Sequence, residues 1–201
     1  MWRSIFPGGL NTLLFTNNAL YATIANGLFK SQELTAYDPA SDEFNTEVPF
    51  ETLVSRFGSA ITDPAKVEIA AYRIKEDCFY DKQRKVWERR VIGICPVVKG
   101  LTDDLHGTDL CWIYMPELRK LLARKLVMER SAPAYIHTLD DVFYYSYYTS
   151  RIIKELNPAN RSLASYCPNE PAFTAENIRI EKEMIEAEHN LWMDETAYKK
   201  P

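Results

Sequence analysis

His137 stands three and four residues before Asp140 and Asp141, and an imidazole with two carboxylates on one helical face is a spacing that can hold a divalent metal. The same stretch, His137-Thr138-Leu139-Asp140-Asp141, also fits a helix start. Thr138 suits the N-cap, Asp141 completes an S/T-x-x-acid box, and both aspartates face the positive end of the helix dipole. A metal needs further ligands, and His106 and His189 are remote in sequence. We expect a cap and no metal.

The cysteines Cys78, Cys95, Cys111 and Cys167 contain no C-x-x-C pair, so neither a zinc ribbon nor a thioredoxin-like redox site is spelled out. They read as small buried hydrophobes. The alternative is a bond between Cys95 and Cys111, whose strands can pair, in an oxidising compartment. Glu76, Asp77 and Asp81 are acidic enough for acid–base work, but charged residues beside a turn are ordinarily just solvated. The glycine-rich phosphate loop, the G-x-S-x-G elbow and H-E-x-x-H are all missing, and no serine or cysteine adjoins a histidine. Neither catalysis nor a cofactor is expected.

A basic cluster, Lys82, Arg84, Lys85, Arg89 and Arg90, is set against Asp81 and Glu88. It reads either as a contact for phosphate or an acidic protein surface, or as edge protection that discourages strand pairing with another chain. With a net charge of −4 over 201 residues the chain has no general field for phosphates, so nucleic acid is not an expected partner. The apolar share of 46% and charged share of 26% are those of an ordinary globular protein, and the aromatic share of 12% leans towards sheet or interface. No run approaches the ~20 apolar residues that span a bilayer. The opening Met1-Trp2-Arg3 lacks the pattern of a secretory signal, as expected of a cytosolic chain or of a mature or trimmed one.

The elements that carry these residues centre on Ala70 to Arg119. Ile69, Tyr72, Ile74, Cys78 and Tyr80 intermix with Arg73, Lys75 and Glu76 as in a half-buried strand. Asp81-Lys82-Gln83-Arg84 reverses the chain. Val86 to Cys95 then return as a second strand that Pro96 must end or push to an edge. After a loop over 99–108, Leu110 to Met115 reads as a central strand, and Pro116 opens a helix with Leu118, Leu121, Leu122, Leu126 and Val127 inward. The fold class is α+β: an antiparallel sheet built on a long β-hairpin plus a third strand, flanked by several helices, with a C-terminal helical arm.

Upstream, Asn17-Asn18 start a helix over about 19–29, Leu34 to Tyr37 is extended, and a helix covers about 49–57. Downstream, the capping box starts a helix from Leu139 to Leu156 that places Tyr144 and Tyr148, four residues apart, on its polar side. These tyrosines either lie flat on the surface or anchor an interface. An irregular connector around Leu163 and Tyr166 follows. Thr174 then caps an acidic helix whose Ile178, Ile185 and Trp192 recur every seven residues, and 198–201 fray. The expected division is an α+β core over 1–157 and, over 158–201, a connector and a helix that packs on the core or on a partner.

Several long motifs are specific to a family. YRIKEDCFYDKQRKV (Tyr72 to Val86), RVIGICPV (Arg90 to Val97), CWIYMPELR (Cys111 to Arg119), LDDVFYYSYYTSRIIKE (Leu139 to Glu155) and EHNLW (Glu188 to Trp192) resemble the gliding-motility GldN family, also called PorN, of the type IX secretion system. Trp2-Arg3-Ser4-Ile5 looks like the start of that family's mature region, and the N-terminal region looks shortened. The resemblance implies a periplasmic, outer-membrane-associated, non-enzymatic subunit that forms a ring with the lipoprotein GldK (PorK) and other copies of itself, coupled to the motor components GldL and GldM. It brings no catalytic residues. Tyr144, Tyr148, Lys82, Arg84, Lys85, Arg89, Arg90 and Trp192 are the candidate interface residues. Two rival readings are an enzyme whose site assembles only in space and a stand-alone ligand-binding or regulatory domain.

Overall fold

The computed structural model describes residues 1–41, 43–81, 83–84, 86–99, 107–129 and 132–197, with the side chains of 87 and 191–197 outside the description. The expected loop over 99–108 and the fraying end over 198–201 fall mostly or wholly outside it. Seven strands, β1 (Trp2–Ile5), β2 (Ala36–Tyr37), β3 (Ile69–Asp81), β4 (Val86–Val98), β5 (Thr108–Asp109), β6 (Trp112–Tyr114) and β7 (Arg151–Lys154), form one sheet. Its order is β2-β6-β4-β3-β1-β7, with β5 also on β4. The helices are α1 (Thr12–Phe15), α2 (Ala19–Ala25), α3 (Phe50–Phe57), α4 (Met115–Leu122), α5 (Leu139–Tyr144) and α6 (Glu170–Ala197). This is the expected α+β antiparallel architecture with its C-terminal helix. Two compact units compose it: 1–3, 76–90 and 151–201 make one, 4–75 and 91–150 the other.

In the larger unit the alternation along β3 turns Tyr72 and Ile74 inward, where they meet Leu20, Tyr21 and Ile24 of α2, Leu53 and Phe57 of α3 and Leu118 and Leu122 of α4. Asn17 and Asn18 take left-handed backbone angles just before α2, which asparagine tolerates better than most residues. The Asn18 amide donates to the carbonyls of Pro64 and Val67, tying the helix start to the chain entering β3. Buried Asn11 spends its amide on the Phe6 and Thr149 carbonyls and accepts from the Thr149 N–H, so its polar atoms are matched. Phe44 lies over Gly93 of β4, where any Cβ would sit 2.3 Å from the ring. Tyr37 and Tyr114 flank that ring at centroid distances of 5.7 and 5.4 Å.

Pro96 neither ends β4 nor sits at an outer edge of the sheet. Gly93 and Ile94 face Tyr114 and Ile113, whereas Val97 and Val98 face Asp109 and Thr108. The register therefore slips by one residue between the two ladders, and Pro96 stands in that slip with its carbonyl taking the Leu110 N–H. A bulge is where a sheet interior tolerates a missing N–H.

The expected helix over 139–156 stops at Tyr144. Ser146 adopts φ 50, the Tyr147 N–H reaches back to the Val142 carbonyl and the Ser146 N–H to the Phe143 carbonyl. That pair of bonds is a Schellman C-cap with serine in the place that glycine usually takes. The chain then straightens into β7, whose Ile152 and Ile153 are good strand formers. Likewise α4 stops at Leu122, short of Val127, because Leu126 bridges to Thr138 and the Val127 N–H bonds the His137 carbonyl. Leu126 is 61% exposed as a result.

In the smaller unit Ile152 of β7, Leu163 of the connector and Ile180 of α6 form a compact core, with Phe173 and Met184 packed on it. The N-cap of α6 is Asn169, whose side chain accepts the Ala172 N–H; Thr174 lies within the helix. Glu76 occupies an inward register position of β3 and is buried, as is Arg3 of β1. Their side chains pair at 3.0 Å, and the Arg3 guanidinium also holds Glu181 of α6 at 3.1 Å. Met1 and Glu76 exchange both backbone hydrogen bonds, 2.8 and 2.7 Å, as in the narrow rung of an antiparallel ladder.

Candidate interaction surfaces

The larger unit presents a run of tyrosines made by the early stop of α5. Tyr144 ends the helix and is 68% exposed. Its ring meets Tyr145 edge-on at 5.0 Å, Tyr145 meets Tyr135 at 5.2 Å, and Tyr135 meets Tyr147 at 6.4 Å. The chain of edge-to-face contacts orders large amphipathic rings at the surface before any partner arrives. Arg119 of α4 stands 5.9 Å from the Tyr144 ring while its Nε donates to Asp140 at 2.9 Å, and the bidentate pair fixes the cation there. Tyr148 is half-buried against Phe143, ring centroids 5.8 Å apart, and does not share a helix face with Tyr144. Sequence reasoning missed Tyr135, Tyr145 and Tyr147. Its signal was there in the aromatic run 143–148, which suits a helix poorly.

The capping box beneath this patch is complete. The Thr138 hydroxyl accepts the Asp141 N–H at 3.3 Å, and the Asp141 carboxylate takes the Thr138 and His137 N–H groups at 2.8 and 2.9 Å. Desolvation pushes the Asp141 carboxyl up, but these donors outweigh it and the net displacement is downward. The cap is the expected one of Thr138 with Asp141, and His137 joins it through its backbone N–H. Among the described residues no group of three histidine, cysteine, aspartate or glutamate side chains is placed to hold a metal ion.

In the smaller unit two of the hairpin cations, Arg84 and Arg90, are paired with the acidic residues of the same hairpin. Asp81 accepts the Gln83 and Arg84 N–H groups and the Arg84 Nε, so the Arg84 guanidinium foremost holds its carboxyl below the ordinary value. Arg84 also pairs with Glu88, and Arg90 donates to Glu88 at 2.7 Å while lying 4.9 Å from the Phe79 ring. Arg89 is exposed on β4. Lys82, Lys85 and the Trp192 side chain lie outside the described residues.

Helix α6 runs 28 residues, about 42 Å. It buries Ile180 and half-buries Phe173, Asn177 and Met184, so its inward stripe steps along 173, 177, 180 and 184. Ile178 and Ile185 of the expected heptad are turned out, 61% and 66% exposed. Arg179 pairs with Glu176 and Glu183 of the helix and with Glu155 after β7, leaving Glu186 exposed with Lys182 3.6 Å away. Asn177 bonds both the N–H and the C=O of Ile152 through its amide, 2.7 and 3.0 Å.

Cys95 and Cys111 are free, buried thiols, and burial pushes Cys111 up to about 12 and Cys95 well above its ordinary value, so neither offers a thiolate near neutrality. Burial likewise raises Asp109, against the pull of Arg73 at 2.8 Å. No helix among the described residues is long and apolar enough to cross a membrane.

No curated protein matches the chain. The family model for gliding motility associated protein GldN matches residues 5–193, nearly the whole length and all of the strands and helices from α1 to β7. The chain belongs to the GldN family of gliding-motility proteins.

Proposed function

We propose that this gliding-motility and type IX secretion component is a non-enzymatic structural subunit that assembles with the outer-membrane lipoprotein GldK (PorK) and with further copies of itself into a periplasmic ring, to which GldL and GldM couple. The family match over 5–193 carries the reading; the family is a structural one and not a known enzyme family. A ring closes only if each copy carries two different, complementary patches. The ordered tyrosine run at 135–147 and the acidic outer face of α6 are two surfaces of different chemistry suited to that task. Arg84, Arg89, Arg90, Tyr148 and Trp192 remain in the proposed contact set with Lys82 and Lys85.

Co-expression with the lipoprotein, followed by sizing and electron microscopy, tests the assembly. A discrete high-mass ring is the expected product. Replacing Tyr144 and Tyr145 by alanine should weaken it by about 2 kcal/mol or more, since exposed, pre-ordered tyrosines are typical anchors. Absence of any co-purifying complex would refute the partner assignment, and an unchanged complex would remove the tyrosines from it.

A further inference from the structure

A second surface of the larger unit has the makings of a strand-addition site. Residues 46–48 lie along the outer side of β2: the Val48 N–H bonds the Ala36 carbonyl, and the Asp38 N–H bonds the Thr46 carbonyl. This pattern makes Tyr37 and Glu47 a non-hydrogen-bonded antiparallel pair, so the Glu47 N–H and C=O point away from β2. Among the described residues neither has a backbone partner, so they form an open rung. Pro49 ends the ladder on one side, because it has no N–H and its carbonyl already serves Thr52 and Leu53.

Immediately beside that rung lies a groove of about 360 Å³ lined by Leu28, Phe29, Leu34, Val48, Phe50 and Leu53. Phe29 and Phe50 form an edge-to-face pair at 5.4 Å, and Phe50 is 41% exposed. A volume at the lower end of the usual ligand-site range takes one or two apolar side chains. Glu47 is the one charged side chain lining it among the described residues, and Glu43 and Glu51 stand exposed four residues to either side. Lys30, beside Phe29 in sequence, is exposed and does not line the groove. Phe44, clamped over Gly93, fixes the loop that delivers this edge.

We propose that this edge receives an extended segment of a partner protein that pairs with the Glu47 backbone, seats an apolar side chain between Phe29 and Phe50, and carries lysine or arginine opposite Glu47. Main-chain bonds supply attachment, the groove selects the apolar residue, and the acidic rim selects the charge. The inference goes beyond the ring reading and stands whether or not that reading holds.

The test uses the full chain and a fluorescein-labelled eight-residue peptide that alternates valine with lysine, read by fluorescence anisotropy. Saturable binding is expected. Methylating the peptide's backbone nitrogens, which removes the rung, should weaken it about tenfold, and glutamate in place of lysine should weaken it by about the same factor. Phe50→Asp should abolish it and Glu47→Arg should invert the charge preference; both positions are exposed, and an unchanged melting temperature for Glu47→Arg keeps the test sound if Phe50→Asp folds poorly. No binding by the lysine peptide, equal binding by the methylated peptide, or indifference to Glu47→Arg would each overturn the proposal.

Discussion

Arg3 and Glu76 offer the sharpest perturbation. Glu76 sits where the alternation of β3 demands an apolar residue, 3% exposed, and the guanidinium 3.0 Å away is its counter-charge. At that distance and an effective dielectric of about 20 the attraction is roughly 5 kcal/mol. The desolvation of two buried ions, several kcal/mol each, consumes most of it. The pair's net worth is therefore small, while the cost of breaking it is large. Arg3→Leu takes the 3.0 Å counter-charge from a buried carboxylate and also releases Glu181, and should cost about 3–5 kcal/mol, whereas Arg3→Leu with Glu76→Leu should recover most of that loss. Urea unfolding followed by circular dichroism and tryptophan fluorescence reads both variants, with Trp2 close to the break and Trp112 reporting the larger unit. A loss below about 1 kcal/mol in the single variant, or simple additivity in the double one, would refute the reasoning.

Two further outcomes follow from the ends of α5. Asp141→Asn should cost about 1 kcal/mol at neutral pH by weakening the capping box. Because the folded carboxyl lies below its ordinary value, this stabilisation is present above the unfolded pKa near 3.8 and disappears as pH falls through the folded one; the two proteins should unfold alike in strong acid. Ser146→Gly should stabilise by about 0.5–1 kcal/mol, since glycine meets no Cβ penalty at φ 50, and a lower melting temperature would contradict the Schellman assignment.

The hairpin, the capping box and the helix at 19–29 were legible in the sequence because each is set by local chemistry: alternation along β3, Thr138 with Asp141, and paired asparagines before α2. The end of α5 was hidden, since helical periodicity continues past Ser146 and only the left-handed turn, which serine seldom makes, interrupts it. β1 and β7 were hidden too. Each has four residues, too short for a pattern, and β7 earns its place through Ile152 packing on Leu163 and Ile180. The hairpin charges were legible by type, but their pairing was not: Asp81 and Glu88 fold back onto Arg84 and Arg90, which only the turn geometry decides. Pro96 misled for a related reason: a rule about ladders says nothing of a bulge that two distant segments create together.

The Asn177 amide has a consequence for solubility. A carboxamide has the same donor and acceptor as a peptide group, and by binding both polar atoms of Ile152 it acts as a one-residue counterfeit strand at the sheet's β7 border. The long acidic helix that carries it is thereby a built-in stopper: while the helix stays docked, the Ile152 backbone is closed to a foreign strand, and shedding it would open that rung for pairing.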